Sequence, residues 1–518
     1  MVGPGGREPV PVVSATASTT DDALTDPGAV RNTLLQFGSQ VAAAAFTAGL
    51  TLYLVRALGP AGYGVYALAY SIGGLLLFPA GMGLPMAVGR FLADHRENLG
   101  HVRAIFRLGL RLQLPAAVIT AAGLFALSGL LADAYGEPRL GWPLRWMAVA
   151  VLGQALFAYV SSMVVSIRRV SVSVWMYLIE SAAETSGSVT LVVAGTGAAG
   201  AMLGKAIGYG IATIAGLYLT LRLLGGARNR PDALPEKVGV RAISRYAGAM
   251  LVVDVTWSAI TQVDVLLIGA LLTAADVGSF GAVVRILTVV GYLGLAVSAG
   301  VAPRLSLGGG APDARLFNEA IRYLIIAQGV VLAPMVVWAK PIVALLLGSG
   351  YGSADGIMRV LALWCFVGAP AALITVSVTY LGEVRRRVSI MLATLVLGLA
   401  ATYVLLRTVG LVGAAIADDL VQIVYVSAHV WICSRLIPIE LRRLAWSTAR
   451  TLVAGGAMAL VLFALGTSHL SPGQWVAGLC AGVAAYGGML LLTHELSLGE
   501  VRVIAHQLWK ALRPTVHP

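Results

Sequence analysis

Glu180 and Glu184 stand one helical turn apart inside an apolar run, with Thr185, Ser186 and Ser188 beside them. Carboxylates at that spacing share one face of a helix. An ionisable group at bilayer depth costs roughly 2.5–3.5 kcal/mol on insertion scales, so it faces a cavity or a partner. Two readings follow: a proton or sodium site, or an ion pair with a basic side chain on a neighbouring helix. Asp254 and Asp264 interrupt a second apolar run, and Asp418 and Asp419 a third. Asp254 and Asp418 are ion-coupling candidates, Asp264 is expected to be hydrated near a helix end, and Asp419 to be a helix-packing group. Among the cations, Arg107 and Arg111 share a helix face, Lys205 lies deep in an apolar run, and Arg285 interrupts the stretch Val283–Val290. A guanidinium binds phosphate through two parallel hydrogen bonds, whereas a long basic stem at a helix end snorkels to the surface. Arg107 and Arg111 carry both readings, Arg285 is assigned to the lumen, and Arg322 reads as a surface anchor. Cys365, Cys433, Cys480 and the histidines show no metal-ligand spacing and no disulfide pattern.

These charges need elements that hold them in lipid. Of the 518 residues, 58% are hydrophobic and 12% charged, against about 25% charged in a soluble domain. A span takes ~20 apolar residues at 1.5 Å each, and the apolar runs accommodate about fourteen spans. The expected fold is an all-α polytopic membrane protein. The net charge of +12 lies in short segments between apolar runs, without an aromatic-interleaved basic face, which argues against nucleic acid. Basic residues concentrate in alternate loops, among them Arg90, Arg96, Arg168, Arg169, Arg241, Arg245, Arg385–Arg387, Arg442 and Arg443. The positive-inside rule then places both termini in the cytoplasm and the protein in the cytoplasmic membrane.

The chain repeats itself. Leu58-Gly-Pro-Ala-Gly-Tyr-Gly64-Val-Tyr66 matches Leu272-Thr-Ala-Ala-Asp-Val-Gly278-Ser-Phe280 at an offset of 214 residues. Arg90 and Arg145 meet Arg304 and Arg359 at the same offset, and Gly197 and Gly200 meet Gly410 and Gly413 at 213. An even number of spans separates the copies, so the lobes are parallel repeats about an axis along the membrane normal. The expected organisation is a disordered tail (1–30), a six-helix N-lobe (31–222), a basic linker (223–245), a six-helix C-lobe (246–436), an extra helix pair (437–495) and a tail (496–518). That last tail reads either as an amphipathic surface helix or as a solvated end. Asp254 is the repeat equivalent of Gln40, and Lys205 of Asp418. The latter two either pair across the pseudo-two-fold axis or each stay within their own lobe.

The segment Arg56-Ala-Leu58-Gly59-Pro60-Ala-Gly62-Tyr63-Gly64-Val-Tyr66 through Ser71, followed by Gly81-Met-Gly-Leu-Pro-Met-Ala-Val-Gly-Arg90, resembles the signature of the polysaccharide flippases. These belong to the superfamily that also holds multidrug extruders and lipid II flippases. Independently of that resemblance, the glycines and Pro60 make a tight outer turn, and Tyr63 and Tyr66 suit an aromatic belt. The resemblance implies alternating access of two lobes, moving a polyprenyl-pyrophosphate-linked glycan across the membrane. A cationic hydrated cavity would take its phosphates, with Arg285, Arg107, Arg111 and Lys205 as candidates. It implies no cofactor beyond a coupling Na+ or H+ ion, and partners among membrane lipids, glycosyltransferases or a glycan polymerase. The rival is a cation-coupled multidrug extruder of the same fold. A membrane glycosyltransferase would need acid-bearing large loops, and the long linker offers only Asp232 and Glu236.

Overall fold

The computed structural model describes residues 27–225, 234, 235, 238–305, 313–381 and 383–502. The expected N-terminal tail through residue 26, most of the linker, and the helical-spaced Ile504, Leu508 and Leu512 lie outside the described residues. Every regular element among the described residues is helical. In chain order these are α1 (Pro27–Gly81), α2 (Leu84–Asp94), α3 (Leu99–Ala134), α4 (Gly141–Ser166), α5 (Val170–Val193), α6 (Gly197–Gly225), α7 (Val240–Leu271), α8 (Ala274–Val301), α9 (Ala314–Val337), α10 (Ala339–Leu346), α11 (Ala354–Tyr380), α12 (Val384–Val409), α13 (Leu411–Ser434), α14 (Leu441–Leu465) and α15 (Pro472–Leu492). Among the described residues, twelve stretches are long and apolar enough to cross a membrane, against the expected fourteen. Two differences account for the count. The first two expected spans are the two helical arms of α1, separated by the non-helical turn at Gly59 (φ 64°) with Pro60 starting the second arm, and they count as one stretch, Ala45–Gly81, among the twelve. The fifth expected span, α5, is not among the twelve, because its two glutamates and five serines dilute its hydropathy. Pro334 lies inside α9, and the short helix α10 follows directly.

Side chains such as Ile119, Ile214 and Leu460 are more than 70% exposed on the outside of the bundle. Only lipid makes that much outward apolar surface acceptable, so the chain is a multi-pass membrane protein. Its core is continuous at one end and divided at the other. Near the Gly59 turn one cluster joins Leu54, Tyr63 and Leu68 of α1 to Phe280 and Val283 of α8 and Ile357 of α11. Toward the opposite end, Leu84, Phe106 and Tyr159 form one core with Ala247 of α7. Phe317, Leu373 and Ile432 form another. Trp338, Met458 and Tyr486 join α9 to α14 and α15.

The repeated turn explains the closed end. A Cβ on Gly64 would overlap the carbonyl of Ala274, and one on Gly278 would overlap the carbonyl of Pro60. These two glycines are repeat equivalents, so the repeats cross each other backbone to backbone at their shared axis. The two copies solve the turn differently. The first uses left-handed Gly59, a conformation open to glycine at little cost. The second uses Thr273 at the equivalent place, whose hydroxyl donates to Asp276 (2.6 Å) in a capping box. Two further contacts bind this end: Arg56 donates to the carbonyls of Leu345 and Leu346 at the end of α10, and the Tyr351 hydroxyl donates to the Val55 carbonyl (2.8 Å).

Candidate substrate and ion sites

The second arm of α1 places Tyr63, Tyr66 and Tyr70 at i, i+3 and i+7, one face of a helix. Their rings follow one another at 5.8 and 6.4 Å. Tyr63 is 2% and Tyr66 9% exposed. The aromatic belt expected for this pair is therefore corrected: α8 covers the face, and the stripe lines the seam between the halves. Arg285 comes to it from α8. Its guanidinium lies 4.4 Å from the Tyr70 ring centre. Lys205 reaches the same stripe from α6, with its ammonium 5.3 Å from the Tyr70 ring and 5.2 Å from the Tyr209 ring. A cation over an aromatic face is attracted by the ring quadrupole. One arginine from the second half and one lysine from the first thus share Tyr70.

Lys205 also donates to Glu184 at 2.7 Å. Packing enforces that pair. A Cβ on Gly204 would overlap the Ser188 backbone, and one on Gly208 would sit 2.8 Å from the Glu184 nitrogen. Gly200, Gly204 and Gly208 therefore form a small-residue stripe that lets α6 lie directly on α5. Glu180 lies one turn away, accepting from the Ser181 hydroxyl (3.1 Å) and adjoining Glu184. Of the two readings of the glutamate pair, the interhelical ion pair holds for Glu184. Glu180 has no basic partner among the described residues.

The structure keeps Lys205 and Asp418 in separate halves, so a pair across the axis does not form. Asp418 meets Asp264 of α7 instead, carboxyl to carboxyl, and the Thr402 hydroxyl of α12 donates to Asp264 at 3.0 Å. Asp264 is part-buried, with Thr402 of α12 beside it and Asp418 of α13 near it. Asp419, next along α13, is buried, and its Oδ1 has no hydrogen-bond partner among the described residues. Asp254 is half-buried on α7 and joins neither cluster. Arg107 and Arg111 are exposed on α3, in line with Leu114, Val118 and Phe125, which are each over 40% exposed. That stripe faces outward, so the structure does not bring these two arginines to the Tyr70 seam. Among the described residues no group of three or more acids, histidines and cysteines is arranged to hold a metal ion. Tyr70, Tyr209, Asp264 and Thr402 were not singled out as site residues from sequence. The Tyr63-x2-Tyr66-x3-Tyr70 spacing and the Gly200-x3-Gly204-x3-Gly208 run were the available signals.

The family model described as "Polysaccharide biosynthesis protein" matches residues 29–307, more than half of the chain. The chain belongs to the polysaccharide biosynthesis protein family. The matched stretch of this polysaccharide biosynthesis protein carries the tyrosine stripe, Glu180, Glu184, Lys205, Asp264 and Arg285, and ends before Thr402 and Asp418. A curated relative is the probable low-salt glycan biosynthesis flippase of Haloferax volcanii, 22% identical over 86% of this chain and 91% of its own length. Among solved structures, a lipid II flippase in an inward closed conformation superposes with a TM-score of 0.72 at 12% identity, over 89% of this chain and 99% of its own. An inward-facing multidrug resistance transporter of the MATE family gives 0.60 at 14% identity, over 75% and 94%. At those identities the two structures establish the fold.

Proposed function

We propose that this protein flips a lipid-linked oligosaccharide from the cytoplasmic to the outer leaflet by alternating access of its two halves, driven by a Na+ or H+ gradient. The observation that carries the reading is the shared tyrosine stripe, where Arg285 of one half and Lys205 of the other meet around Tyr70. A polyprenyl-pyrophosphate head is anionic and needs cations that are desolvated, held in place and released as the halves move. When the seam opens, Arg285 leaves the Tyr70 ring and its planar fork becomes available to phosphate. The glycan needs a wide polar passage, which rocking parallel lobes provide. The relative in Haloferax volcanii, named as a probable glycan biosynthesis flippase, supports the same substrate class. A multidrug extruder for cationic compounds is the weaker reading, because resident cations at the seam would repel them.

For coupling, the Asp264–Asp418 pair is the better candidate. Two carboxyl groups in contact need a proton or a cation between them, and Thr402 adds a hydroxyl oxygen. The Glu180–Glu184 site already has Lys205 as its cation. The concentration of basic residues in alternate loops supports cytoplasmic termini, with glycosyltransferases on that side supplying the lipid-linked glycan. The test uses proteoliposomes loaded with a polyprenyl-pyrophosphate glycan, with delivery read by a membrane-impermeant lectin. Arg285→Ala should lower the rate about 100-fold, the worth of one or two charge-assisted hydrogen bonds, and Arg285→Lys about tenfold, because lysine loses the fork. Full activity in the lysine variant would remove the phosphate-binding role.

A further inference from the structure

Far from the seam, at the end of the molecule opposite the Gly59 turn, a cavity of about 1010 Å³ lies between α9, the start of α14 and the segment after α15. Its floor is a closed ionic network. Arg322 is buried and donates to Glu495 (2.8 Å) and Glu500 (2.9 Å), and Glu495 also accepts from Ser447 at 2.7 Å. Arg322 thus ties α9 to the end of the extra helix pair. Burial alone would raise the Glu500 carboxyl, but hydrogen bonds from the Ser497 backbone and from Arg322 outweigh it and hold it at about 2. The floor is therefore charged, satisfied and rigid, so the cavity does not depend on a mobile wall.

The open wall differs. Arg443, Trp446 and Arg450 follow at i, i+3 and i+7 on α14, and Arg442 stands beside them. Arg443 is engaged by Glu319 (2.6 Å) and Arg450 reaches Glu495 at 3.3 Å. Arg442 is exposed and has no acidic partner among the described residues. Arg442 and Arg443 occupy the first turn of α14, where the helix dipole favours acids rather than cations. Trp446 and Leu441 are 57% and 53% exposed at the rim. An exposed tryptophan at the first turns of a spanning helix marks the membrane–water boundary, which sets the cavity mouth at the level of lipid headgroups.

We infer that this cavity binds the phosphate headgroup of an anionic phospholipid, with Arg442 and Arg450 on the phosphate and Trp446 and Leu441 against the glycerol and upper acyl chains. The occupant follows from the wall. A soluble phosphate would use the arginines and leave the apolar rim in water. A basic pocket beside a spanning helix on the arginine-rich side suits a lipid phosphate. The site is distinct from the transport seam, so its occupancy is separable from substrate binding.

The test takes the full-length protein in mixed micelles of phosphatidylglycerol and phosphatidylcholine and reads retained lipid by native mass spectrometry. Phosphatidylglycerol should be retained over phosphatidylcholine. The double variant Arg442→Ala/Arg450→Ala should weaken its retention about thirtyfold, since each arginine near an anionic headgroup contributes roughly fivefold. Phosphatidylcholine retention should not move and the protein should stay folded, because Arg322 and Ser447 still bond Glu495 when Arg450 is lost. Unchanged phosphatidylglycerol retention in the folded double variant would overturn the site. Displacement of the lipid by millimolar inorganic phosphate would overturn the lipid assignment in favour of a soluble anion. Failure of either kind leaves transport through the seam untouched.

Discussion

Helices α6 and α13 are repeat equivalents, and Lys205 and Asp418 occupy the matching position on them at an offset of 213 residues. Lys205 meets Glu184 and is neutralised within its own half, while Asp418 meets another acid, Asp264. The local backbone is the same: Gly197 and Gly410, which open the two helices, both take positive φ, 59° and 78°. A duplicated scaffold thus holds one charge-compensated site and one acid-rich site at matching depth. Duplication supplies the architecture, and the substitutions after it divide the labour. The first half pairs its buried acid with a fixed cation, Lys205, and the second sets two acids side by side.

The largest effect should come from breaking the compensated site. Lys205→Ala leaves Glu184 buried without a cation, a loss of about 3–5 kcal/mol for a broken buried pair. The expected outcome is a sharp fall in folded protein, read by fluorescence-detected size exclusion and thermal melting. Lys205→Met with Glu184→Gln should recover most of the stability and still transport poorly, because the seam has lost one of its two cations. Recovery of both would make the pair purely structural.

Next in size is the acid-rich site. Asp418→Asn and Asp264→Asn each remove one of two carboxyls in contact, so stability should stay level or rise by about 1 kcal/mol as repulsion is relieved. Transport should lose its response to an imposed Na+ or H+ gradient while substrate still binds. Retained gradient dependence in both variants would move the coupling role to Glu180 and Glu184.

This contrast was partly legible in the sequence. The Leu58–Gly64 turn, the repeat, and the charges at 180, 184, 205, 285 and 418 were visible, because buried ionisable groups stand out against apolar runs. Their partners were not. Lys205 and Asp418 looked equally able to pair across the axis, and only the close approach at Gly204 and Gly208 gives Lys205 to Glu184. Tyr63 and Tyr66 read as lipid-facing because a helix face shows its polarity in sequence, not what covers it. Here α8 covers them. Arg107 and Arg111 carried two readings for the same reason. The span count differed because polar site residues lower the hydropathy of α5, the helix that carries the acids, and because the two arms of α1 meet directly at Gly59 and count as one stretch.

The smallest effect tests whether the second half holds a bound ion or only a proton. Thr402 donates its hydroxyl to Asp264 at 3.0 Å, and the same oxygen has a lone pair to offer a sodium ion lodged between the two aspartates. Sodium is a hard cation and takes oxygen ligands, whereas a proton shared by two carboxyls needs no third group. Thr402→Val keeps the shape and removes the oxygen, costing about 0.5–1.5 kcal/mol of stability for one lost hydrogen bond. With sodium as the coupling ion, the variant should need roughly tenfold more Na+ for half-maximal transport, one ligand's worth of affinity, and Thr402→Ser should restore the native value. With a proton as the coupling ion, Thr402→Val should leave the Na+ dependence flat and shift the pH profile instead, since Asp264 loses the donor that favours its charged form. Titration of transport rate against Na+ at fixed pH, and then against pH at fixed Na+, separates the two outcomes.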